Sequence, residues 1–472
     1  MSRPRLAVHG HFYQPPRADP FSGTLPADPG AAPARDWNAR ISAECYRPNA
    51  LAGNLASMSW DLGPTLAGWL EAGDPVAYEG FRAGDAGANG MAQPFHHTIL
   101  PLASAADRRT EVRWGLRDFE VRFGRRPTGM WLPETAVDLA TLRILADEGI
   151  THTVLAPWQV DGVVDTRRPH RLDLGDARSM IVVLYDGLLS AAVSFEPSAT
   201  ADADRFVHER LWPRFGQGWM SEAGADDGAV PLVVIATDGE LYGHHQAFRE
   251  HFLARLVGAT SPTDRGYDVV PLSTAVAEAA ASGPLPWASL HERTSWSCHE
   301  GLERWSTDCA CVTDGSWKAP LRTALERLAG GIDSVTDELA RDLPGSPDPW
   351  AARDASVDVA IGRVSMASFV AERLGPGADQ RAKRVFAALL EAQRWRLAMF
   401  ASCGWFWEDP ARPETAGALR TAVRASRLVD SLHDSGLERR LLDDLALVRD
   451  PSGLDGVSLL RSALDAVGQR VA

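Results

Sequence analysis

The stretch 231-PLVVIATDGELYGHH-245 decides the fold. Leu232 to Ala236 is an unbroken apolar run that passes through Thr237 straight into Asp238, Gly239 and Glu240. A strand apolar on both faces is one covered on both faces, as in parallel sheets flanked by helices. Such a strand delivering a carboxylate at its carboxyl end marks the place where βα-barrels carry their chemistry. Gly239 lets the backbone turn sharply there and approach a ligand closely. Asp238 is therefore the first candidate site residue, with Glu240 beside it.

Working outward, the first ~285 residues alternate short apolar runs with helical stretches, the pattern of repeated βα units. The predicted strands are Leu6–His9, Leu55–Trp60, Asn89–Gln93, Gly129–Leu132, Thr151–Ala156, Met180–Leu184, Leu232–Thr237 and Asp268–Leu272. Seven or eight such units fit a closed or nearly closed barrel. Several strands end at polar residues: His9, Asp61, Gln93, Glu134 and Asp238. The Pro/Gly/Ala-rich stretch between Arg17 and Asp36 reads as a long loop, a length that in compact domains is often functional. Residues 284–318, dense in Trp, Cys, His and Glu, read as a segment folded over a site. From about Pro320 the pattern is helical, in segments Leu321–Leu328, Val357–Leu374, Ala382–Cys403 (with Gly404 as its C-cap) and Leu428–Val448. The expected organisation is a barrel domain over 1–285 and a covering segment plus mainly helical domain over 286–472.

Composition narrows the function classes. Apolar residues at 45% and charged residues at 23% describe an ordinary globular enzyme. A net charge of −14, scattered rather than blocked, argues against nucleic acid or an anionic membrane as partner. No apolar run reaches the ~20 residues of a membrane helix, and the N-terminus shows no signal-peptide pattern, so a cytoplasmic location is expected. Five cysteines, an odd number, read as reduced thiols rather than a disulfide framework. Cys309 and Cys311 have no second pair at metal-ligand spacing, so neither a metal nor another cofactor is expected. Tryptophan is abundant, 16 against 6 Tyr, and Trp37, Trp60, Trp131, Trp219, Trp296, Trp305, Trp405 and Trp407 have polar or charged neighbours. Indoles stack on sugar C–H faces and also fill cores.

Three further motifs carry chemistry. In HGHFYQPPR, His9 and His11 at i and i+2 on a strand share one face, and Gln14 follows; together they offer hydrogen bonds to a polar ligand. QPFHHTILPL places Gln93, His96 and His97 after a strand. In MWLPETAVDLATL a short strand ends in Trp131 and Glu134 before an amphipathic helix. Taken alone, Glu134 reads equally as an acid complementing the start of that helix. Two carboxylates on separate strand ends suit glycoside chemistry, about 5 Å apart in retaining enzymes and wider in inverting ones.

In this order, HGHFYQPPR, QPFHHTILPL, WLPET and ATDGELYG resemble the motif regions of glycoside hydrolase family 57, the first as a variant with two residues inserted before Gln-Pro. DWNARISAECYRPN, ERWSTDCAC and MFASCGWFWED resemble a bacterial subfamily with a helical C-terminal domain of unknown function. The resemblance implies a (β/α)7-type barrel, a retaining mechanism without metal, and α-linked sugars as substrates. It implies Glu134 as nucleophile and Asp238 as general acid/base, the latter with a raised pKa. Substrate-binding candidates are His9, His11, Gln14, His97, Trp131 and Glu240, with His299, Trp305 and Trp405 from the covering region. An oligo- or polysaccharide is the expected partner. Two readings from other classes stay open at this point: a metal-dependent deacetylase using the histidines with Asp61, and a non-catalytic glucan-binding protein.

Overall fold

The computed structural model describes residues 3–216, 230–258, 266–345, 347–450 and 452–471; Trp219 lies outside them. The chain forms two compact units. The first comprises Met1–Gln14, Ala27–Pro94 and Phe119–Trp296, and the second comprises Pro15–Pro26, Phe95–Asp118 and Ser297–Ala472. The division is thus not a single cut near residue 285. The segment Phe95–Asp118 joins the second unit through polar anchors: the Trp114 indole donates to the Asp354 carbonyl at 3.0 Å, and Asp107 pairs with Arg353 and Arg396.

In the first unit, β1 (Arg5–Phe12) pairs in parallel with β2 (Ser59–Leu62), and β2 with β3 (Gly90–Met91). The ring continues through single parallel bridges, Ala92 to Met130 and Gly129 to His152, into β4 (His152–Leu155). The antiparallel hairpin of β5 (His170–Gly175) and β6 (Arg178–Leu184) follows, with β6 parallel to β4. Asp186, two residues past β6, donates its amide to the Val234 carbonyl of β7 (Leu232–Asp238), and β7 pairs with β1 over seven residues. Counting the extended segment at 129–132, the ring closes in seven staves, a (β/α)7 barrel. Two short strands, β8 (Asp268–Val269) and β9 (Trp287–Ala288), add to β1 and β5.

Strand parity separates two cores. Ala7, Met91, Trp131, Val154, Val183, Leu232, Val234 and Ala236 pack together inside the barrel. Leu6, Val8, Phe12, Trp60, Leu62, Val233 and Ile235 pack outward, under the surrounding helices. Side chains alternate along a strand, so the parity of Ala7 carries His9 and His11 inward. The same rule turns Asp61, Gln93 and Asp238 toward the barrel mouth. Full burial of each Val, Leu or Ile contributes roughly 1.5–3 kcal/mol, which fixes the register that aims these polar groups.

The helices show where periodicity misleads. The predicted strand Leu55–Trp60 begins only at Ser59, because Asn54–Ala56 is a single 3-10 turn anchored by the Asn54 amide on Asn49 and the Glu250 carbonyl. In the second unit the main helices are Lys318–Arg341, Met366–Leu374, Gln380–Ala398, Pro413–Asp430, Leu437–Leu445 and Gly456–Asp465. The stretch 428–448 is not one helix: Asp430 ends the first part and its carboxylate accepts the amides of Leu437 and Glu438, which start the next. Gly404 is not a C-cap, since the long helix ends at Ala398 with Met399 as its C-cap, and Gly404 lies inside the short helix Cys403–Phe406. Among the described residues no helix is long and apolar enough to cross a membrane.

Candidate active site

The mouth of the barrel is built around Asp61, which is fully buried. Its two oxygens bind His9 Nε2 at 2.7 Å and His11 Nδ1 at 2.8 Å, and the Gln93 amide also donates to it. Burial opposes both charges, but each supports the other. Burial alone would lower the His11 pKa; Asp61, then Asp238 and Glu240, raise it to about 9. Burial alone would raise that of Asp61; His11 and His9 hold it below the usual carboxylate range. Both imidazoles stack on Trp131, with ring centroids 4.7 Å away for His9 and 5.4 Å for His11.

Asp238 stands at the end of β7 as the register partner of His11, and it is exposed. The next residue, Gly239, could carry no side chain, because a Cβ there would sit 2.4 Å from the Phe12 ring. That close approach lets Glu240 fold back into the interior. Its Oε1 accepts from Tyr46 Oη at 2.5 Å and from Gln14 Nε2 at 3.2 Å. Burial, joined by the charge of Asp238, raises the Glu240 pKa to about 7 against the opposing Tyr46 hydrogen bond.

Glu134 arrives differently. It lies in a one-turn 3-10 segment with φ 57° and ψ 21°, and Thr135 after it has φ 49°. Positive φ is uncommon outside glycine and costs of order 1–3 kcal/mol. The turn is held by Trp296, whose backbone amide donates to the Glu134 carbonyl at 3.0 Å and whose indole Nε1 donates to Oε2 at 3.1 Å. The following helix, Leu139–Asp147, has its own cap: Asp138 accepts from the Thr141 amide at 2.7 Å. Glu134 is therefore not the acid that starts this helix. Trp296 also meets Trp131 edge-on at 5.1 Å and His11 at 6.1 Å.

The first unit thus brings together His9, His11, Gln14, Trp131, Glu134, Asp238 and Glu240. It adds Asp61, Gln93, Tyr46, Tyr185 and Trp296, of which Tyr185 meets the Trp296 ring edge-on at 6.5 Å. Asp61 and Gln93 were visible as strand-end polar residues; Trp296 lies in the 284–318 segment expected to fold over a site, and Tyr46 carried no signal. His97, His299, Trp305 and Trp405 belong to the second unit. There His97 binds Ser402 Oγ at 2.7 Å, Trp305 is fully buried, and Trp405 is buried against Phe400.

Residues 90–277 match the family model described as glycosyl hydrolase family 57, and residues 314–452 match a domain of unknown function, DUF3536. Among solved structures, an exo-type maltose-forming amylase from Pyrococcus sp. ST04 superposes with a TM-score of 0.72 at 16% identity, covering 98% of this chain and 88% of that one. A branching enzyme of that family from Pyrococcus horikoshii gives 0.62 at 16% identity, covering 98% and 94%. An α-amylase from Thermotoga maritima gives 0.59 at 13%, covering 97% and 99%. At these identities the likeness is one of fold. The curated relatives matched by sequence are argininosuccinate lyases of Halobacterium salinarum, 34% identical over 93 residues, and the match spans about a fifth of either chain (19%). Residues 90–277 thus form a region similar to glycosyl hydrolase family 57, and residues 314–452 one similar to the DUF3536 domain.

Proposed function

We propose that the protein is a retaining glycoside hydrolase or glycosyl transferase acting on α-linked glucans or oligosaccharides. The observation that carries this reading is the pairing of two carboxylates across the barrel mouth. Glu134 and Asp238 stand on different staves of the ring and are linked through His11, Trp131 and Trp296. The amylases and the branching enzyme that share the fold act on such glucans by their descriptions, which supports the substrate class.

In this mechanism Glu134 attacks the anomeric carbon while Asp238 protonates the departing glycosidic oxygen, giving a covalent glycosyl-enzyme. Asp238 then takes a proton from water or an acceptor hydroxyl, which displaces Glu134 with net retention. Trp296 orients the nucleophile through its indole hydrogen bond to Oε2. Glu240 sits beside Asp238 and sets its electrostatic surroundings. His11 and Gln14 supply polar contacts for the sugar, with the fully buried Trp131 and His9 supporting them from the barrel interior. The five free thiols fit a reducing compartment, and we place the protein in the cytoplasm on that ground.

The test is turnover of a series of α-glucan oligomers with NMR assignment of the first-formed anomer. Retention of the α configuration is expected. A β product, or no turnover of any α-glucoside, would overturn the reading.

A further inference from the structure

Cys298, Cys309 and Cys311 come from separate positions of the second unit, yet their sulfur atoms all lie within 4.8 Å of one another. The Cys298 and Cys311 sulfurs are 3.5 Å apart. A disulfide requires about 2.05 Å, whereas thiolates at about 2.3 Å from one tetrahedral ion stand roughly 3.8 Å apart. The trio has the second kind of spacing. Among the described residues it is the one group of three His, Cys, Asp or Glu side chains whose ligand atoms converge so closely.

Burial pushes the Cys298 and Cys309 thiols up, and the polar groups around the trio oppose it. Backbone amides of Glu300 and Arg304 are directed at Cys298, that of Cys311 at Cys309, and that of His299 at Cys311. A tight turn aims them: the Gly301 amide donates to the Cys298 carbonyl at 3.2 Å, and Gly301 has φ 78°, a conformation suited to glycine. Two cations stand near. Lys318 lies in electrostatic range of Cys298 and Cys309 and donates Nζ to the Arg304 carbonyl at 2.9 Å, and Arg304 acts on Cys311. N–H groups and positive charge around sulfur are what hold thiolates and orient metal ligands. Cys298 and Cys309 are buried and Cys311 is half-buried, so an ion has a route in.

We propose that Cys298, Cys309 and Cys311 form a three-thiolate site for a thiophilic divalent cation, zinc being the best chemical match. Each thiol releases one proton on binding, so one ion displaces three protons, and a solvent molecule fills the fourth position. No oxidation or reduction is involved. The ion ties the segment from Ser297 to Trp317 to itself.

Full-length protein, reduced and stripped with chelator, is titrated with Co2+ and then Zn2+. One ion per chain is expected, with a thiolate-to-cobalt charge-transfer band that zinc bleaches. Cys309→Ser and the less buried Cys311→Ser should each weaken affinity by more than the roughly 10–100-fold that loss of an outer-shell partner costs. Cys403→Ser should leave it unchanged, and circular dichroism checks that every variant is folded. Absence of stoichiometric uptake by chains whose three thiols are reduced would overturn the proposal. So would a Cys298–Cys311 disulfide in protein isolated without reductant, with no uptake after reduction.

Discussion

The end of β7 and the turn at Trp131–Thr135 deliver a carboxylate to the same barrel mouth by opposite means. Asp238 rides on seven residues of ladder to β1, in register with His11, and its placement follows from burial of the strand behind it. Glu134 has only isolated bridges behind it and a left-handed backbone, and it depends on Trp296, which lies 162 positions away in sequence. The first is positioned by local pattern, the second by a tertiary clamp. Strain accepted at Glu134 and absent at Asp238 fits a residue whose exact pose matters for bond formation.

The comparison breaks most directly at the carboxylates. Glu134→Gln should lower kcat on any accepted α-glucan by at least ~10³-fold, whatever the leaving group. Asp238→Asn should fall as far on natural substrates but recover on those with an activated leaving group, for which no proton is needed. Equal behaviour of the two variants across leaving groups would remove the division of roles.

Asp61→Asn probes the support that both sides share. It strips the counter-charge from buried His11 and a carboxylate partner from His9, and removing one partner of a buried pair costs about 3–5 kcal/mol. Chemical denaturation should show a loss of that order; a loss below about 1 kcal/mol would mean the His9–Asp61–His11 group does not hold the mouth together.

Trp296→Phe keeps the ring contacts and the backbone bond while deleting the indole donor to Glu134. A fall in kcat of about 10–10²-fold with little change in KM is expected from a loosened nucleophile. An unchanged kcat would show that the turn positions Glu134 without the clamp.

The smallest effect is on pH. Glu240, raised from 4.5 to about 7, and His11, raised from 6.5 to about 9, each hold a proton in the folded chain that the unfolded chain has lost. The folded state binds more protons in both windows, so stability falls as pH rises. The His11 contribution is complete below pH 6.5 and gone once pH has risen through about 9. The Glu240 penalty develops between 4.5 and about 7. Tm should decline across both ranges, and Glu240→Gln should flatten the lower one; a Tm that rises over it would contradict the burial of Glu240.

The same contrast explains what the sequence could reveal. The barrel was legible because β7 and β1 are long, apolar and carry their polar residues at the right parity. Asp238, His9 and His11 followed from that alone, and Asp61 and Gln93 showed themselves as strand ends. Glu134 read two ways because its helix has a separate cap at Asp138, which only backbone geometry distinguishes. Trp296 showed only as one of many indoles in the 284–318 segment, and Tyr46 not at all, since an indole or a phenol reaching a distant carboxylate has no local period. Cys298 was invisible as a partner of Cys309 and Cys311 for a similar reason: its link to them is the turn at Gly301, not a paired spacing. In the second unit, helical period ran straight through Asp430–Gly436, where a side chain caps the next helix.

Intact-protein mass spectrometry with a slow α-glucosyl fluoride inactivator tests the central claim most directly. One hexosyl-type adduct per chain is expected, mapping to the peptide that contains Glu134 and absent in Glu134→Gln. An adduct on another carboxylate, or turnover with inverted configuration and no adduct, would contradict it.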